Sequence, residues 1–175
     1  SFDMWLYWWH RLNHVAPFLW RFHQVHHNDT TMDMSTALRF HPGEIVLSSI
    51  INVVVIVVLG VSIEMMVVYK LIFNVNVLFH HSNVVLSDRW DRWYRFFLVS
   101  PNMHRVHHSR RMVETNSNYA SGLALWDRLF GSYRERDPDE IVFGLEYDRS
   151  EDEQKWLYLL KRPFRPKGRP ASKRD

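Results

Sequence analysis

The stretch EIVLSSIINVVVIVVLGVSIEMMVVYKLIFNVNVLF, residues 44–79, decides the fold of this 175-residue chain. It holds 19 uncharged residues from Ile45 to Ile63, which meets the length expected of a membrane span. Gly60 divides the block, and at about 1.5 Å per residue the arm before it is only about 22 Å long, against a hydrocarbon core of about 30 Å. The block therefore predicts a single span or a shallow, tilted helical hairpin. A buried strand or core helix is the alternative, because Val and Ile also favour strands.

The histidines distinguish a single span from a hairpin. All eleven lie between residues 10 and 108, on both sides of the apolar block. A single span would leave them on opposite sides of a bilayer, whereas a hairpin returns the chain to the side on which it started. We therefore predict an all-α fold with a membrane hairpin at about residues 44–80.

Four histidine groups are spaced for helices: HRLNH (10–14), HQVHH (23–27), HH (80–81) and HRVHH (104–108). Residues three and four apart share a helix face, so each HxxHH motif projects three imidazoles together. Imidazole suits iron, zinc, copper and nickel. Each group alone has too few ligands, but together they offer about ten nitrogens, enough for two metal ions with open positions. A histidine-rich pH sensor is the alternative.

The composition excludes several classes of site. The chain has no cysteine, so disulfides, thiolate metal sites and cysteine nucleophiles are excluded. Its net charge is only +3, and the basic residues are scattered among acidic ones, unlike a nucleic-acid-binding surface. Neither a GxGxxG fingerprint after a strand nor a haem-attachment motif is present. The sequence therefore shows no recognisable motif for a redox cofactor of these two kinds.

The remaining segments predict further helices around the hairpin. Pro17 should end a helix at 2–16 and precede another at 18–28, and Gly131 should end a short helix at 123–131. Residues 87–101, with Ser87 as N-cap, predict a helix at the membrane interface or an amphipathic core helix. Residues 82–112 hold six Arg against two Asp, which predicts a cytoplasmic location for this face. Further predictions are a strand at 141–147, a helix at 150–161, and a basic, proline-rich tail.

An ordered set of motifs resembles the fatty acid hydroxylase / sterol desaturase superfamily of integral-membrane di-iron enzymes, in particular its bacterial-type members. The motifs are FDMWLYWWHRLNH (2–14), PFLWRFHQVHH (17–27), TALRFHP (36–42), LFHHSN (78–83), SPNMHRVHHS (100–109) and NYASGLALWDRLFGSY (118–133). The resemblance covers residues 1–135 and leaves 136–175 as a C-terminal extension. Because relatives have membrane helices before the first histidine pair, we expect the chain to begin inside a larger protein.

The resemblance implies a helical membrane fold in which a histidine-rich cytosolic cap holds two iron ions. The implied ligands are His10, His14, His23, His26, His27, His80, His81, His104, His107 and His108. Several relatives have His-x-x-x-His-His at the second arm of the hairpin, where this chain has Asn76 in the first position. Asn76 is therefore expected to be a weak oxygen ligand, a residue that holds water, or no ligand.

Other polar residues are candidates for orienting the ligands. Ligating histidines commonly donate their second ring N–H to a carboxylate or carbonyl. The candidate carboxylates are Asp3, Asp29, Asp33, Asp88 and Asp127, with solvated helix-end residues as the alternative. The other candidates near the metals are His41, Asn76, Asn83 and Asn118. His41 stands alone in the sequence and is more typical of an ordinary core or surface histidine.

The function that these observations predict is O₂-dependent hydroxylation or desaturation of a membrane-borne lipid: a fatty acyl, sterol-like or ether lipid. The electron donor would be a small cytochrome, a ferredoxin with its reductase, or a pterin. Arg105, Arg110 and Arg111 would dock an acidic carrier or contact phospholipid headgroups. The alternatives are a zinc hydrolase and a non-catalytic membrane protein that binds metal or haem.

Overall fold

The computed structural model describes residues 1–166 of the chain. Within these residues all regular elements are helical, and β-pairing is limited to two isolated bridges. The α-helices are α1 (Phe2–Val15), α2 (Pro17–His27), α3 (Pro42–Leu59), α4 (Ile63–His81), α5 (Asp88–Phe97), α6 (Pro101–His107), α7 (Met112–Thr115), α8 (Leu125–Leu129) and α9 (Trp156–Lys161). This confirms the predicted all-α fold.

The apolar block forms the predicted hairpin of α3 and α4. Both helices are long and apolar enough to cross a membrane, and most of their side chains lie outside the protein interior. Gly60 ends α3 in the left-handed conformation, at φ 63°, which glycine adopts without a steric cost. Ser62 then caps α4 by accepting a hydrogen bond from the Met65 backbone N–H. The chain doubles back here, so His41 before α3 and His81 at the end of α4 lie at the same end of the hairpin.

The other helices form a cap at that end. Pro17 begins α2 immediately after α1, and these two helices pack against each other. Helix α6 packs against α4. The small apolar core of the cap lies between α1, α6 and the segment before α8, and its buried members are Tyr7, Val99, Met103, Tyr119, Ala120 and Ala124. Much of the remaining interior is polar, because the histidines fill it.

Helix α5 follows α4 after a six-residue connection and is shorter than predicted. It begins after Ser87, although the Ser87 side chain makes no capping hydrogen bond, and it ends at Phe97 because Leu98 is extended. Leu98 instead forms an isolated bridge with Leu123. Trp90 and Trp93 lie on the exposed side of α5.

The segment after residue 135 differs from the prediction. The predicted strand at 141–147 is wrong: Phe143 forms only an isolated bridge with Ser109, and no second strand lies beside it in the described residues. The helix predicted at 150–161 is divided into a 3-10 turn, Glu151–Gln154, and α9, because Lys155 is extended. Another 3-10 turn, Arg162–Phe164, follows α9. The rest of the predicted tail, 167–175, lies outside the described residues.

Candidate metal centre

Ten of the eleven histidines converge at the base of the hairpin. Nine of them lie on four helices: two on α1, three on α2, two on α4 and two on α6. The tenth, His108, directly follows α6. Nine of them form two groups in which the ligand nitrogens lie within 4.8 Å of one another. We call the groups site A and site B. Site A consists of His10, His14, His23, His27 and His107, and site B consists of His26, His81, His104 and His108.

The two HxxHH motifs contribute to both sites in a reciprocal way. In α2, His23 and His27 belong to site A, whereas His26 belongs to site B. In the second motif the distribution is reversed, because His104 and His108 belong to site B and His107 to site A. Residues four apart lie on one helix face, and the residue between them points to an adjacent face. Each motif can therefore supply two neighbouring metal ions.

The ring nitrogens of site A converge as ligands of a cation would. His10 Nε2 lies 3.1 Å from His23 Nε2 and 3.2 Å from His107 Nε2. On the far side of the rings, His10 Nδ1 donates to the Tyr119 carbonyl and His107 Nδ1 to the Ser117 carbonyl, each over 2.7 Å. Because these carbonyls can only accept, both Nδ1 atoms carry the proton and both Nε2 atoms present a lone pair. Lone pairs at this distance repel unless a cation lies between them.

Site B is built in the same way. His104 Nε2 lies 3.0 Å from His81 Nε2 and 3.1 Å from His108 Nε2, while His26 Nε2 is 3.3 Å from that of His81. His81 Nδ1 donates to the Val77 carbonyl over 2.8 Å, so its Nε2 is also a lone-pair donor. The His26 ring stacks on Phe40, with ring centroids 4.4 Å apart.

The geometry of both sites fits a bound metal ion. With metal–nitrogen bonds of about 2.1 Å, two ligand nitrogens lie about 3.0 Å apart at a right angle and about 3.4 Å apart at the tetrahedral angle. The Nε2 separations of 3.0–3.3 Å fall in this range. Both ring nitrogens of His27 are buried without a hydrogen-bond partner in the described structure. A buried imidazole without a hydrogen-bond partner destabilises the fold. A metal ion in site A would provide a partner for one of these nitrogens.

Burial favours the neutral form of seven of these imidazoles. Desolvation lowers the pKa of His10, His14 and His27 well below 6.5, and neighbouring histidines lower it further. Burial likewise lowers the pKa of His107 to about 3. Burial and neighbouring histidines have the same effect on the pKa of His26, His104 and His108 in site B. At neutral pH the lone pairs are therefore free to bind metal, since a metal can only bind the unprotonated ring nitrogen.

Asp127 and Asn118 hold the loop whose carbonyls orient His10 and His107. The fully buried Asp127 accepts from the backbone N–H groups of Tyr119 and Ala120, over 2.8 and 3.0 Å. Asn118 lies at φ 50°, and its side chain donates to the Met103 carbonyl over 2.9 Å. Neither side chain contacts a metal-facing nitrogen. Both act through the backbone between Ser117 and Ala120.

Glu44 is a residue at the centre that the sequence analysis did not identify. It lies in the first turn of α3, is 7% exposed, and its Oε1 accepts a hydrogen bond of 2.7 Å from His23 Nδ1. Its Oε2 is buried without a partner in the described structure. The available signal was an acidic residue two positions after a His-Pro pair, in the first turn of an otherwise uncharged helix.

His80 and Asn76 lie beside the two sites. The ring of His80 is 4.1 Å from that of His104, but His80 belongs to neither group of nitrogens, and its buried Nε2 has no partner in the described structure. Asn76 donates to the Ser121 carbonyl over 3.0 Å, and its oxygen accepts from the Tyr94 hydroxyl over 2.6 Å. Asn76 thus connects α4 to α5 and to the loop before α8.

Other candidates lie away from the histidine rings, which corrects their predicted roles. His41 caps α3: its Nδ1 accepts from the Gly43 N–H, and its Nε2 donates to the Leu160 carbonyl. Asn83 is exposed because the chain becomes extended after α4 ends. Four of the candidate carboxylates likewise make other contacts or lie at the surface, and none of them bonds to a histidine ring in the described part of the chain. Asp3 binds Tyr69 and Trp126, Asp29 binds Thr36 and Arg39, Asp33 caps a 3-10 turn, and Asp88 lies in the exposed first turn of α5.

A cavity of about 320 Å³ opens onto the histidines from between the hairpin and α1. Rings from both sites line it, together with apolar side chains that include Leu6, Ile45, Phe73 and Val77. Its lining residues on α3 extend from Glu44 to Asn52, which corresponds to about 12 Å along the helix. A chain-like apolar ligand in this cavity would have one end at the metal centre.

The chain is similar in sequence to several known proteins. A human alkylglycerol monooxygenase is 31% identical over 145 residues, and a zebrafish (Danio rerio) alkylglycerol monooxygenase is 32% identical over 145 residues. The ornithine lipid hydroxylase OlsE of Rhizobium tropici is 28% identical over 165 residues. These matches cover 83%, 83% and 94% of this chain. No solved structure gives a significant match.

The chain spans only part of these relatives: 31% of the length of either alkylglycerol monooxygenase and 48% of OlsE. A family model described as fatty acid hydroxylase matches residues 1–132, which include all ten converging histidines, Glu44 and Asp127. On the extent of this match, the chain belongs to the fatty acid hydroxylase family.

Proposed function

We propose that this chain forms the di-iron centre of a membrane-bound, O₂-dependent oxidoreductase that hydroxylates a lipid. The observation that supports this most directly is the pair of histidine sites whose rings line a partly apolar cavity. The relatives are named as an alkylglycerol monooxygenase and an ornithine lipid hydroxylase, which favours hydroxylation over desaturation.

Two bound irons would supply the O₂-dependent oxidation of an unactivated C–H bond. The chain's own residues provide the setting. The imidazoles of sites A and B would hold the ions, and Glu44 and the Ser117–Ala120 backbone orient the rings. Leu6, Ile45, Phe73 and Val77 would align a hydrocarbon chain in the cavity and exclude water from the reacting carbon.

The membrane location is part of the proposal. Exposed apolar side chains cover α3 and α4, for example Val57, Val58 and Ile63, and such a surface is unstable in water. Inserted in a bilayer, the hairpin would take its substrate from the hydrocarbon layer through the cavity beside it. The excess of Arg over Asp in residues 82–112 favours a cytoplasmic location for the cap.

Electrons would come from a separate donor: a small cytochrome, a ferredoxin with its reductase, or a pterin. Arg110 and Arg111 are exposed and follow His108 by two and three residues. An acidic carrier bound there would lie close to site B. Reversing both charges should then slow the reduction of the iron by the carrier. The rate of this reduction should also depend less on ionic strength.

The close packing of the rings argues against haem. Nε2 atoms only 3.0–3.3 Å apart leave no space for a porphyrin between them. A zinc hydrolase would use three or four ligands at one open site, whereas nine histidines form two adjoining sites here.

Metal analysis and turnover would test the proposal. Protein purified from membranes should contain two irons per chain and show no Soret band. It should also consume O₂ when a lipid substrate and a reductant are supplied. His107→Ala in site A and His108→Ala in site B should each lower the iron content and abolish turnover. His41→Asn is the matched control, because His41 lies outside both sites and Asn is also a good helix cap. Zinc in place of iron, a haem spectrum, or full activity of either site variant would refute it.

A further inference from the structure

Helix α9 and the turn after it present an exposed apolar surface that lies outside the residues matched by the family model. Trp156 is 67% exposed, Leu157 52% and Phe164 76%. Three large apolar side chains together on a short segment are unusual for a surface in water. Such a surface typically marks contact with a membrane or another protein.

This surface adjoins the point where the hairpin begins. The carbonyl of Leu160 in α9 accepts a hydrogen bond of 3.1 Å from His41, the residue that caps α3. An apolar groove of about 250 Å³ separates α9 from the start of α3, and its lining includes Leu38, Pro42, Trp156 and Leu159. The exposed Ile45 follows in the first turn of α3. The exposed side of α9 is thus continuous with the lipid-facing surface of the hairpin.

A buried ion pair fixes the orientation of α9. Arg162, only 2% exposed, pairs with the buried Asp148, and the Tyr158 hydroxyl donates to the same carboxylate over 3.0 Å. These contacts hold the polar side of the segment against the cap. Trp156 and Leu157 remain exposed as a consequence.

The charges around α9 match an anionic surface. Lys161 and Arg165 are exposed next to the apolar side chains, at the end of α9 that lies beside the hairpin. The acidic Glu151 and Asp152 lie at the opposite end of the segment. Basic residues close to apolar ones are typical of elements that bind anionic membrane surfaces.

Helix α5 offers a similar surface where the hairpin ends. Trp90 and Trp93 are exposed, and Arg89 and Arg92 lie beside them. Tryptophan is enriched at the boundary between hydrocarbon and headgroups. One such element therefore adjoins the start of α3, and the other follows the end of α4.

We propose that α9 and residues 162–165 bind the surface of an anionic phospholipid bilayer, so that the cap is anchored on both sides of the hairpin. This inference rests on the membrane insertion included in the proposed function. A second copy of the chain or a partner protein is the other possible occupant, but continuity with the hairpin and the adjacent basic charges favour lipid.

Single cysteine labels can test this, because the chain has no cysteine of its own. A nitroxide label would be placed at Leu157→Cys on α9, at Asp152→Cys as an exposed control on the acidic end, and at Val57→Cys in the hairpin. Each protein, otherwise intact, would be placed in nanodiscs of phosphatidylcholine, or of equal parts phosphatidylcholine and phosphatidylglycerol. Collision rates with O₂ and with a water-soluble nickel complex would then be measured.

We expect the Leu157 label to be more accessible to O₂ than to nickel, as the Val57 label should be, and the Asp152 label to show the reverse. The preference at Leu157 should increase with phosphatidylglycerol and decrease in the Lys161→Gln/Arg165→Gln variant. A Leu157 label as accessible to nickel as the Asp152 label would overturn the inference. So would dipolar broadening between Leu157 labels, which would indicate a second copy. If the Val57 label also faces water, the proposed membrane insertion fails as well, whereas an oxygen-accessible Val57 label confines the failure to α9.

Discussion

The Glu44 carboxylate accepts a 2.7 Å hydrogen bond from His23 Nδ1, and this contact connects the first turn of the apolar hairpin to site A. The bond fixes the proton on Nδ1 and leaves Nε2 free for a metal. It also places a carboxylate beside a centre built from imidazoles. The start of the apolar helix is therefore part of the candidate metal centre.

Glu44→Ala should lower the affinity of site A for its metal by about 10–100-fold, the usual effect of removing such a partner. Glu44→Gln should lose less, because its amide oxygen can still accept from His23. Iron retained after dialysis against a graded series of chelator concentrations would measure this. Glu64→Gln is the matched control, since Glu64 occupies the exposed first turn of α4. Equal retention in Glu44→Ala and the wild type would contradict the assigned role.

Asp127→Asn should destabilise the loop that orients His10 and His107. The carboxylate accepts from two backbone N–H groups and from Ser132, whereas an amide would turn its own NH₂ group towards one of these donors. An unsatisfied buried donor costs about 1–3 kcal/mol, and we expect this decrease in the free energy of unfolding, measured by denaturant titration in detergent. Asp139→Asn, at an exposed position, should change it by less than about 0.5 kcal/mol. A comparable loss in both variants would rule out a specific role.

The metal-free protein should become less stable as the pH falls from about 6.5 towards about 3. Burial lowers the pKa of His107 to about 3 in the folded state, whereas the unfolded chain takes up its proton near pH 6.5. The unfolded state thus binds more protons throughout this window, and each such histidine removes up to about 1.4 kcal/mol per pH unit. Denaturant titrations at pH 7 and pH 5 would measure the change, which should be smaller in His107→Gln. A stability that does not change with pH would show that the rings are not buried in the metal-free state.

Arg162→Ala should be strongly destabilising although it lies far from the histidines in sequence. It would leave the buried Asp148 carboxylate unpaired, and breaking a buried pair typically costs about 3–5 kcal/mol. Lys155→Ala removes one partner of the exposed pair with Asp152 and should cost at most about 1 kcal/mol. Thermal unfolding of both variants in the same detergent would measure the two decreases in the free energy of unfolding. Equal decreases would show that residues 148–162 are not an integral part of the cap.

The sequence contained enough information for the hairpin and for the convergence of the histidines. The length of the apolar block, its break at Gly60 and the i, i+3, i+4 spacing of the imidazoles are local patterns with direct structural consequences. The roles of Glu44 and His41 depend instead on contacts between distant segments. Both ring nitrogens of His41 form hydrogen bonds, one with the Gly43 N–H and one with the Leu160 carbonyl. The second of these joins residues that are 119 positions apart in the sequence.

The wrong prediction of a strand at 141–147 has a similar cause. An alternating segment becomes a strand only if another extended segment lies beside it, and here only the single bridge from Phe143 to Ser109 forms. The family resemblance, together with the position of Asn83 beside His81, predicted that Asn83 lies near the metals. Helix α4 ends at His81 and the next residue is extended, so Asn83 does not lie beside the histidine rings although it is close to His81 in the sequence.

The reciprocal distribution of the two HxxHH motifs has a consequence for assembly of the centre. Helices α2 and α6 are shared by both sites, so an ion bound at either site fixes the helices that present ligands to the other. The first ion bears the entropic cost of ordering them, and the second binds to a prearranged shell. Loading should therefore be cooperative, and when the metal is scarce the population should consist mainly of empty and fully occupied molecules, with few that hold a single ion.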